Sequence, residues 1–372
     1  MAFQLPDYLT PEFDKPPFNS APEAKTAPVE IDCVAPDNYH ATSIYPEYFK
    51  IDGRWVLAQH SRMDCVAVIG EGRVVEIREF RRLRKGDRVV IGRSEDGIEG
   101  IYVHENGFKR NNGPKEKFAF RTSDSRETSK AWDYDRLYDI LRYEKDNGYI
   151  VWVLGPAVCF DRDAREAMTG LIEEGYVHAV LAGNALATHD LEAAIFRTAL
   201  GQEIYSKITD QHGHYHHLDV LNYARRAGSI EALLKSGIVK DGIVYTCLKK
   251  SVRLVLASSI RDDGPLPDVI TDISRAQDEM RLHAGRATTV IALATQLHTI
   301  ATGNMTPSYQ VAGGKVRPVF FYAVDMSEFV LNKLKDRGSL EVATIATNVQ
   351  DFLFILRKGL LNNPGEMAPA LM

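Results

Sequence analysis

The feature that most restricts how this chain can fold is its rhythm after Asp133, where short, wholly apolar runs alternate with segments of helical spacing. Tyr134 to Asp146 reads as a helix, and YIVWVLGPAV (149–158) is a continuous apolar strand closed by Gly-Pro. DAREAMTGLIEEG (163–175) is expected to be a helix, VHAVLAGNA (177–185) a strand, and a further helix begins near His189. The alternation continues with NYARRAGSIEALLKSG (222–237) as helix, VRLVLASS (252–259) as strand and DVITDISRAQDEMRLH (268–283) as helix. ATTVIALATQLH (287–298) passes from strand into helix, VRPVFFYAVD (316–325) is a strand, and SEFVLNKLKDRG (327–338) is a helix. EVATIATNVQ (341–350) and DFLFILRKGL (351–360) close the series as strand and helix. Strands that are apolar throughout must be covered on both faces, which predicts an α/β fold with a Rossmann-like, doubly wound parallel sheet.

Residues before Asp133 follow another pattern. MDCVAVI, EGRVVEI, GDRVVIG and EGIYVHE carry β-branched residues near period two, separated by Gly-rich turn signals. No crossover helix fits between them, so a small antiparallel β-rich domain precedes the sheet. Residues 1–30 hold six of the sixteen prolines, and an extended or disordered arm is expected, of the kind that lies along a neighbouring subunit in a homo-oligomer. The predicted division is therefore an arm at 1–30, a β-rich domain at 31–130 and a Rossmann-like domain at 131–372. At about 100–200 residues per domain, 372 residues suit more than one core.

Several function classes are excluded on composition. A net charge of −5 offers no basic face for nucleic acid, and the run RRLRK (81–85) is too short to change that. That run reads as a solvated strand edge or as an anion site. The four cysteines (Cys33, Cys65, Cys159, Cys247) lack the spacing of a disulfide framework or a structural zinc site. MAFQLPDYLTPEFDKPPF has neither the basic start nor the apolar core of a signal peptide, and no apolar run reaches the ~20 residues of a membrane span. The expected location is the cytoplasm.

In a doubly wound sheet the ligand sits beyond the carboxyl ends of the strands. Five such exits are rich in small or polar residues: Gly155-Pro156, Gly183-Asn184-Ala185, Asp262-Asp263-Gly264, Thr295-Gln296-Leu297-His298 and Thr347-Asn348-Val349. Small residues let backbone approach a phosphate, and helix N-termini offer it free N–H donors. Asp325 closes its strand where an acid can accept from both hydroxyls of an adenosine ribose. GxGxxG is absent, so the dinucleotide fingerprint itself is missing. QHGHYHHLD places His212, His214, His216 and His217 at spacing that fits a loop or strand. No Cys or Glu stands at a familiar zinc distance, so no metal is assigned; the open alternatives are a plain polar loop and a substrate-facing loop in which His217 does acid–base work.

The runs GPAV (155–158), LAGNALATHD (181–190), GHYHHL (213–218), RRAGSI (225–230), SIRDDGPLPDVITD (259–272), ATQLHTIATGN (294–304) and DRGS (336–339) resemble the archaeal-type ornithine cyclodeaminases. They are similar also to the ornithine cyclodeaminase half of the cyanobacterial bifunctional arginine dihydrolases. The resemblance spans roughly the last 200 residues, whereas residues 1–122 match poorly. It implies a tightly bound NAD against Asn184, Ala185, Asp263, Thr295, Gln296, Leu297, His298, Asp325, Asn348 and Val349. It implies also a small amino-acid substrate: hydride leaves Cα of ornithine for the nicotinamide, the δ-amine attacks the imine, ammonia departs and the hydride returns to give proline. Asp262 or Asp263 suits the base, since adjacent like charges raise the pKa of one of them, and the other suits nicotinamide ribose or substrate amine. Alternatively the pair only makes a turn and caps a helix from near Pro267. The substrate carboxylate calls for arginine, and Arg126 and Arg93 of the β-rich domain are the candidates. VAGGKVRP (311–318) reads as an insertion. Rival readings on the same scaffold are an NAD(P)-dependent amino-acid dehydrogenase or imine reductase, and a non-catalytic NAD-binding module.

Overall fold

The computed structural model describes residues 3–108, 131–327, 331 and 340–361. Arg126, the DRGS run and nearly all of the expected helix at 327–338 lie outside the described residues.

Seven short strands build the first region: β1 (Thr26–Pro28), β2 (Glu47–Ile51), β3 (Arg54–Leu57), β4 (Val66–Ile69), β5 (Val75–Arg78), β6 (Arg88–Val90) and β7 (Ile101–Val103). They form two antiparallel sheets, ordered β1-β6-β4-β5 and β3-β2-β7. The inward residues Phe49, Ala67, Val90 and Ile101 are fully buried between them, which is what the period-two pattern requires. The proline-rich arm is neither free nor disordered over residues 3–28: it wraps its own chain. Phe13 stacks on Trp55 at 5.0 Å, Phe18 meets Tyr102 at 4.6 Å, and β1 pairs with β6. Phe3 reaches further, to Tyr143 and Phe320 of the second region.

The second region is a six-stranded sheet of β8 (Ile150–Leu154), β9 (Ala179–Gly183), β12 (Arg253–Ala257), β13 (Thr289–Leu293), β16 (Phe320–Asp325) and β17 (Glu341–Ala346). Between them lie two minor ribbons, β10 (Thr198–Ala199) with β11 (Gln202–Glu203) and β14 (Tyr309–Ala312) with β15 (Lys315–Pro318). The order β12-β9-β8-β13-β16-β17 is parallel throughout. Counted from β8 it is the doubly wound order, with winding reversing between β8 and β13. One face presents large side chains (Trp152, Leu154, Leu293, Phe320) to helices α1 (Ala131–Asn147), α2 (Arg162–Glu173) and the C-terminal helix Val349–Leu360. The other presents mostly small ones (Val153, Ala179, Ala292, Ala323) to α7 (Ile273–Ala284) and α8 (Gln296–Met305). Small residues let these two helices lie close to the sheet, and their flank receives the β-region. Ser308 N donates to Ser61 O at 3.2 Å, Tyr309 OH donates to Ala58 O, and His60 Nδ1 donates to Gly285 O at 3.0 Å.

Several boundaries differ from those expected. The helix placed near His189 begins at Asn184, directly after β9, as α3 (Asn184–Phe196). The histidine run is no loop or strand: it opens helix α4 (Gly213–Ala227), which Gly228 ends in a left-handed conformation before α5 (Ile230–Lys235) and α6 (Ile243–Lys249). VAGGKVRP is the β14–β15 hairpin, turning at Gly313 and Gly314 with φ of +57° and +76°. Among the described residues no helix is long and apolar enough to cross a membrane.

Candidate functional site

Strand register brings the predicted exits level with one another. Ala257 pairs with Gly183, Ala182 with Leu154, Leu154 with Leu293, Leu293 with Val324 and Asp325 with Ala346, so all six strands finish along one line. Three helices start directly on that line, and two of them have no side-chain cap. Gly183 precedes α3 and Thr295 precedes α8 without a capping hydrogen bond, whereas Asp161, Ser229, Asp272 and Asn348 cap their own helices. The first-turn N–H groups of α3 and α8 thus remain available to an anion.

Gly155 has a different reason for being small. A Cβ there would strike the Ala294 carbonyl, and Gly155 N donates to Leu293 O at 2.8 Å. The exits of β8 and β13 are locked together at the winding reversal, and Ala294 carries a left-handed φ of +47° just before α8 begins.

The paired aspartates are unequal. Asp262 is half-buried, and its Oδ2 accepts from Ser259 N at 2.7 Å, while Asp263 is exposed. The pair forms a turn but caps no helix, because α7 begins at Ile273 under Asp272. Two of the other motif runs, LAGNALATHD and RRAGSI, converge on this turn. Asn184 Oδ1 accepts from Leu266 N at 3.0 Å, Arg225 donates to Gly264 O, and Asp268 Oδ2 accepts from Ile230 N at 2.6 Å. Gly264 sits at φ +78° with Arg225 where a side chain would begin, so only glycine serves there. Asn184 and Arg225 therefore hold the backbone that follows the paired aspartates. Arg225 lay within RRAGSI, but only the fold shows what it holds.

His298, in the first turn of α8, lies across the same exits. A Cβ on Gly183 would meet its Cε1 at 3.1 Å, and Thr295 Oγ1 is 3.4 Å from its Nδ1. Burial pushes the imidazole below its usual range, against Asp262 and the Ala257 carbonyl, which raise it. It is thus a neutral ring beside an acid at neutral pH.

The remaining predicted residues fall into distinct places. Gln296 and Leu297 are exposed on α8, and Ala185 is half-buried on α3. Asp325 ends β16 half-buried, with Oδ1 accepting from Ser327 N at 2.8 Å. Asn348 caps the C-terminal helix through Gln350 N at 2.9 Å, and the Val349 side chain is buried in the core, leaving its backbone as the group that can face a ligand. His217 is on α4, its ring 6.3 Å from His189, whose Nδ1 is 2.8 Å from buried Glu192. That places it beside the lower turns of α3, in a set that also holds His216 and Thr198 at 2.7 Å. Arg93 is exposed in the β6–β7 loop, where its N–H donates to Glu99 Oε2. Among the described residues, none of the hydrogen bonds or ion pairs joining the two regions involves it.

This arrangement defines a Rossmann-fold protein with a β-rich region docked on one flank. A family model described as arginine dihydrolase ArgZ-like, C-terminal, Rossmann fold, matches residues 137–356, and its companion, the ArgZ-like C-terminal first region, matches 46–131. The chain is 39% identical to the ornithine cyclodeaminase of Methanopyrus kandleri, over 91% of this chain and 78% of that protein. It is 36% identical to the bifunctional arginine dihydrolase/ornithine cyclodeaminase AgrE of Nostoc sp., covering 91% of this chain and 47% of AgrE. Among solved structures, a LOR/SDH protein from Methanococcus maripaludis superposes with a TM-score of 0.82 at 36% identity, over 91% of this chain and 98% of that one. A ternary complex of AgrE with ornithine and NAD+ superposes at 0.57 and 34% identity, over 91% of this chain and 46% of AgrE's. The chain belongs to the ArgZ-like C-terminal family of ornithine cyclodeaminases. Kinship extends well beyond the last 200 residues: the first region, expected to match poorly, is covered from residue 46.

Proposed function

We propose that this protein is an NAD-dependent ornithine cyclodeaminase, releasing ammonia from L-ornithine and forming L-proline. The observation that carries this reading is the meeting of Asp262, His298, Asn184 and the uncapped starts of α3 and α8 on one line of strand exits. The donor set fits a dinucleotide. Uncapped N–H groups suit its pyrophosphate, Asp325 keeps one carboxylate oxygen beyond the bond to Ser327 for ribose hydroxyls, and Asn348 lies one strand further along. When bound, NAD supplies a hydride acceptor that can return what it takes, so ammonia can leave without net redox change.

This chain's residues divide the remaining work. Asp262, half-buried and tied to Ser259, offers a carboxylate to take the proton of the substrate α-ammonium. Neutral His298 beside it can accept a hydrogen bond or pass a proton on. Exposed Asp263 supplies negative charge toward a dicationic chain. Asn184 and Arg225 keep the turn in place.

The test is mass spectrometry of the purified protein incubated with NAD and a panel of diamino acids. Retained NAD, together with conversion of ornithine to proline and ammonia without accumulating NADH, is expected. NADH appearing in step with product indicates a dehydrogenase instead, and NAD binding without turnover of any diamino acid indicates a non-catalytic module.

A further inference from the structure

The RRLRK run takes part in none of this, yet the fold gives it a setting. Arg81 and Arg82 leave the turn after β5 and meet Arg62 from the β3–β4 loop and Arg281 from α7. These four guanidinium groups share two carboxylates. Asp278 Oδ1 receives Arg81 at 2.6 Å, Arg82 at 2.5 Å and Arg281 at 3.0 Å. Glu79 receives Arg62 at 2.5 Å and has Arg82 at 3.6 Å. Arg281 Nε is 2.8 Å from Glu79 Oε1 but misaligned, and both that Nε and Glu79 Oε2 are buried without a hydrogen-bond partner among the described residues.

Around this cluster opens a cavity of about 1080 Å3 between the β-region and α7. Eight arginines line it, against three acids: Glu76, Glu79 and Asp278. For a chain of net charge −5 this is a marked concentration of the minority sign. Arg84 and Arg286 face it with no carboxylate partner among the described residues, Arg286 lying 4.5 Å over the Tyr149 ring. Burial, together with the charges of Arg62, Arg82 and Arg81, keeps the Arg281 guanidinium below its usual range despite Glu79. Positive charge is thus held here against its own repulsion, the condition that a bound anion relieves.

We infer that the cavity between the β-region and α7 is a binding site for a compact multivalent anion, a phosphate-bearing or polycarboxylate metabolite, held by Arg81, Arg82, Arg84 and Arg286 and distinct from the site at the strand exits. Two considerations separate it from the reacting substrate, the second resting on the function proposed above. Arg281 is eight residues into α7, about 12 Å along the helix from the strand exits. A diamino acid carries net positive charge at neutral pH, and an arginine-lined cavity repels it. Because α7 also packs on the sheet beside α8, an anion bridging it to the β-region would stiffen the joint between the two regions.

Calorimetric titration of the full-length, NAD-saturated protein tests this, with inorganic pyrophosphate and citrate as probes and sodium chloride at matched ionic strength as control. Saturable binding of at least one probe is expected, with its affinity lowered about tenfold by Arg84→Gln or Arg286→Gln and weakened by salt. Pyrophosphate and citrate distinguish the phosphate from the carboxylate source. Absence of saturable heat with both probes overturns the site, as does binding that neither substitution weakens. NAD affinity, measured separately on each variant, stays at the unsubstituted value, so a failure of the cofactor site is recognised independently.

Discussion

At the scale of single residues, two adjacent acids are given different surroundings by a turn. Successive side chains in an irregular segment point to different sides, and here one carboxylate is drawn in to Ser259 while its neighbour stays in water. Asp262→Asn keeps the shape and the acceptor for Ser259 N but removes the charge. Ammonia release should fall about 10²- to 10⁴-fold with NAD affinity and unfolding midpoint nearly unchanged. Wild-type turnover in that variant would remove Asp262 from the mechanism. Asp263→Asn, at an exposed site, should mainly raise the ornithine concentration needed for half-maximal rate. Two acids at a strand end were visible in the sequence; their inequality was not, because it belongs to a folded turn whose following backbone is gripped by Asn184 and Arg225, 78 and 37 residues upstream of Asp262.

At the scale of elements, apolar strands between helical patterns were legible because burial on both faces leaves a continuous hydrophobic signature. The start of α3 was not. Leu186 to Ala193 are all buried, including Thr188, His189, Asp190 and Glu192, so no amphipathic stripe marks its beginning. The α4 histidines misled for the opposite reason: His214 is exposed, His216 and His217 are only half-buried, and the buried apolar positions that reveal the helix, Val220 and Ala224, come only later. Gly155 was chosen as a phosphate neighbour, yet its small size answers a backbone contact with Ala294, and a carbonyl in the strand line cannot swing aside. Gly155→Ala should therefore cost about 2–4 kcal/mol in urea unfolding, whereas Gly313→Ala, strained only by its left-handed φ in open space, should cost about 1–2 kcal/mol. Equal losses would show that the β8–β13 exit is not tightly locked. The β14–β15 hairpin, which looked like an insertion, is anchored by Arg317 donating to Glu144 of α1, both buried. Removing one partner leaves the other charge unpaired, so Glu144→Ala should lower stability by about 3–5 kcal/mol, and a midpoint within error of the parent would show the anchor to be dispensable.

At the scale of the whole molecule, the joints between layers share one chemical weakness. His60 joins the β-region to the turn after α7, His178 accepts from Ile150 N at 2.8 Å where β8 begins, His283 of α7 lies 2.7 Å from Tyr149 OH, and His298 lies at the strand exits. Burial pushes all four below the usual histidine range. A histidine whose folded pKa is depressed binds its proton more readily in the unfolded chain. Its neutral form contributes fully above the unfolded value, about 6.5, and that contribution is lost as pH falls through it. Glu79, Glu192 and Asp278 work in the same direction but later. Burial raises each of them, yet their arginine, histidine and backbone partners hold them below the usual carboxylate range, so their contribution persists until the acid is much stronger. Stability should therefore fall in two stages, the first between about pH 7 and pH 5.5 and belonging to the histidines. Thermal unfolding followed across that window checks the order. His178→Asn, which can still accept from Ile150 N but does not titrate, should flatten the first stage, and a melting temperature as high at pH 5.5 as at pH 7 in the unsubstituted protein would mean that these imidazoles do not govern how the layers hold together.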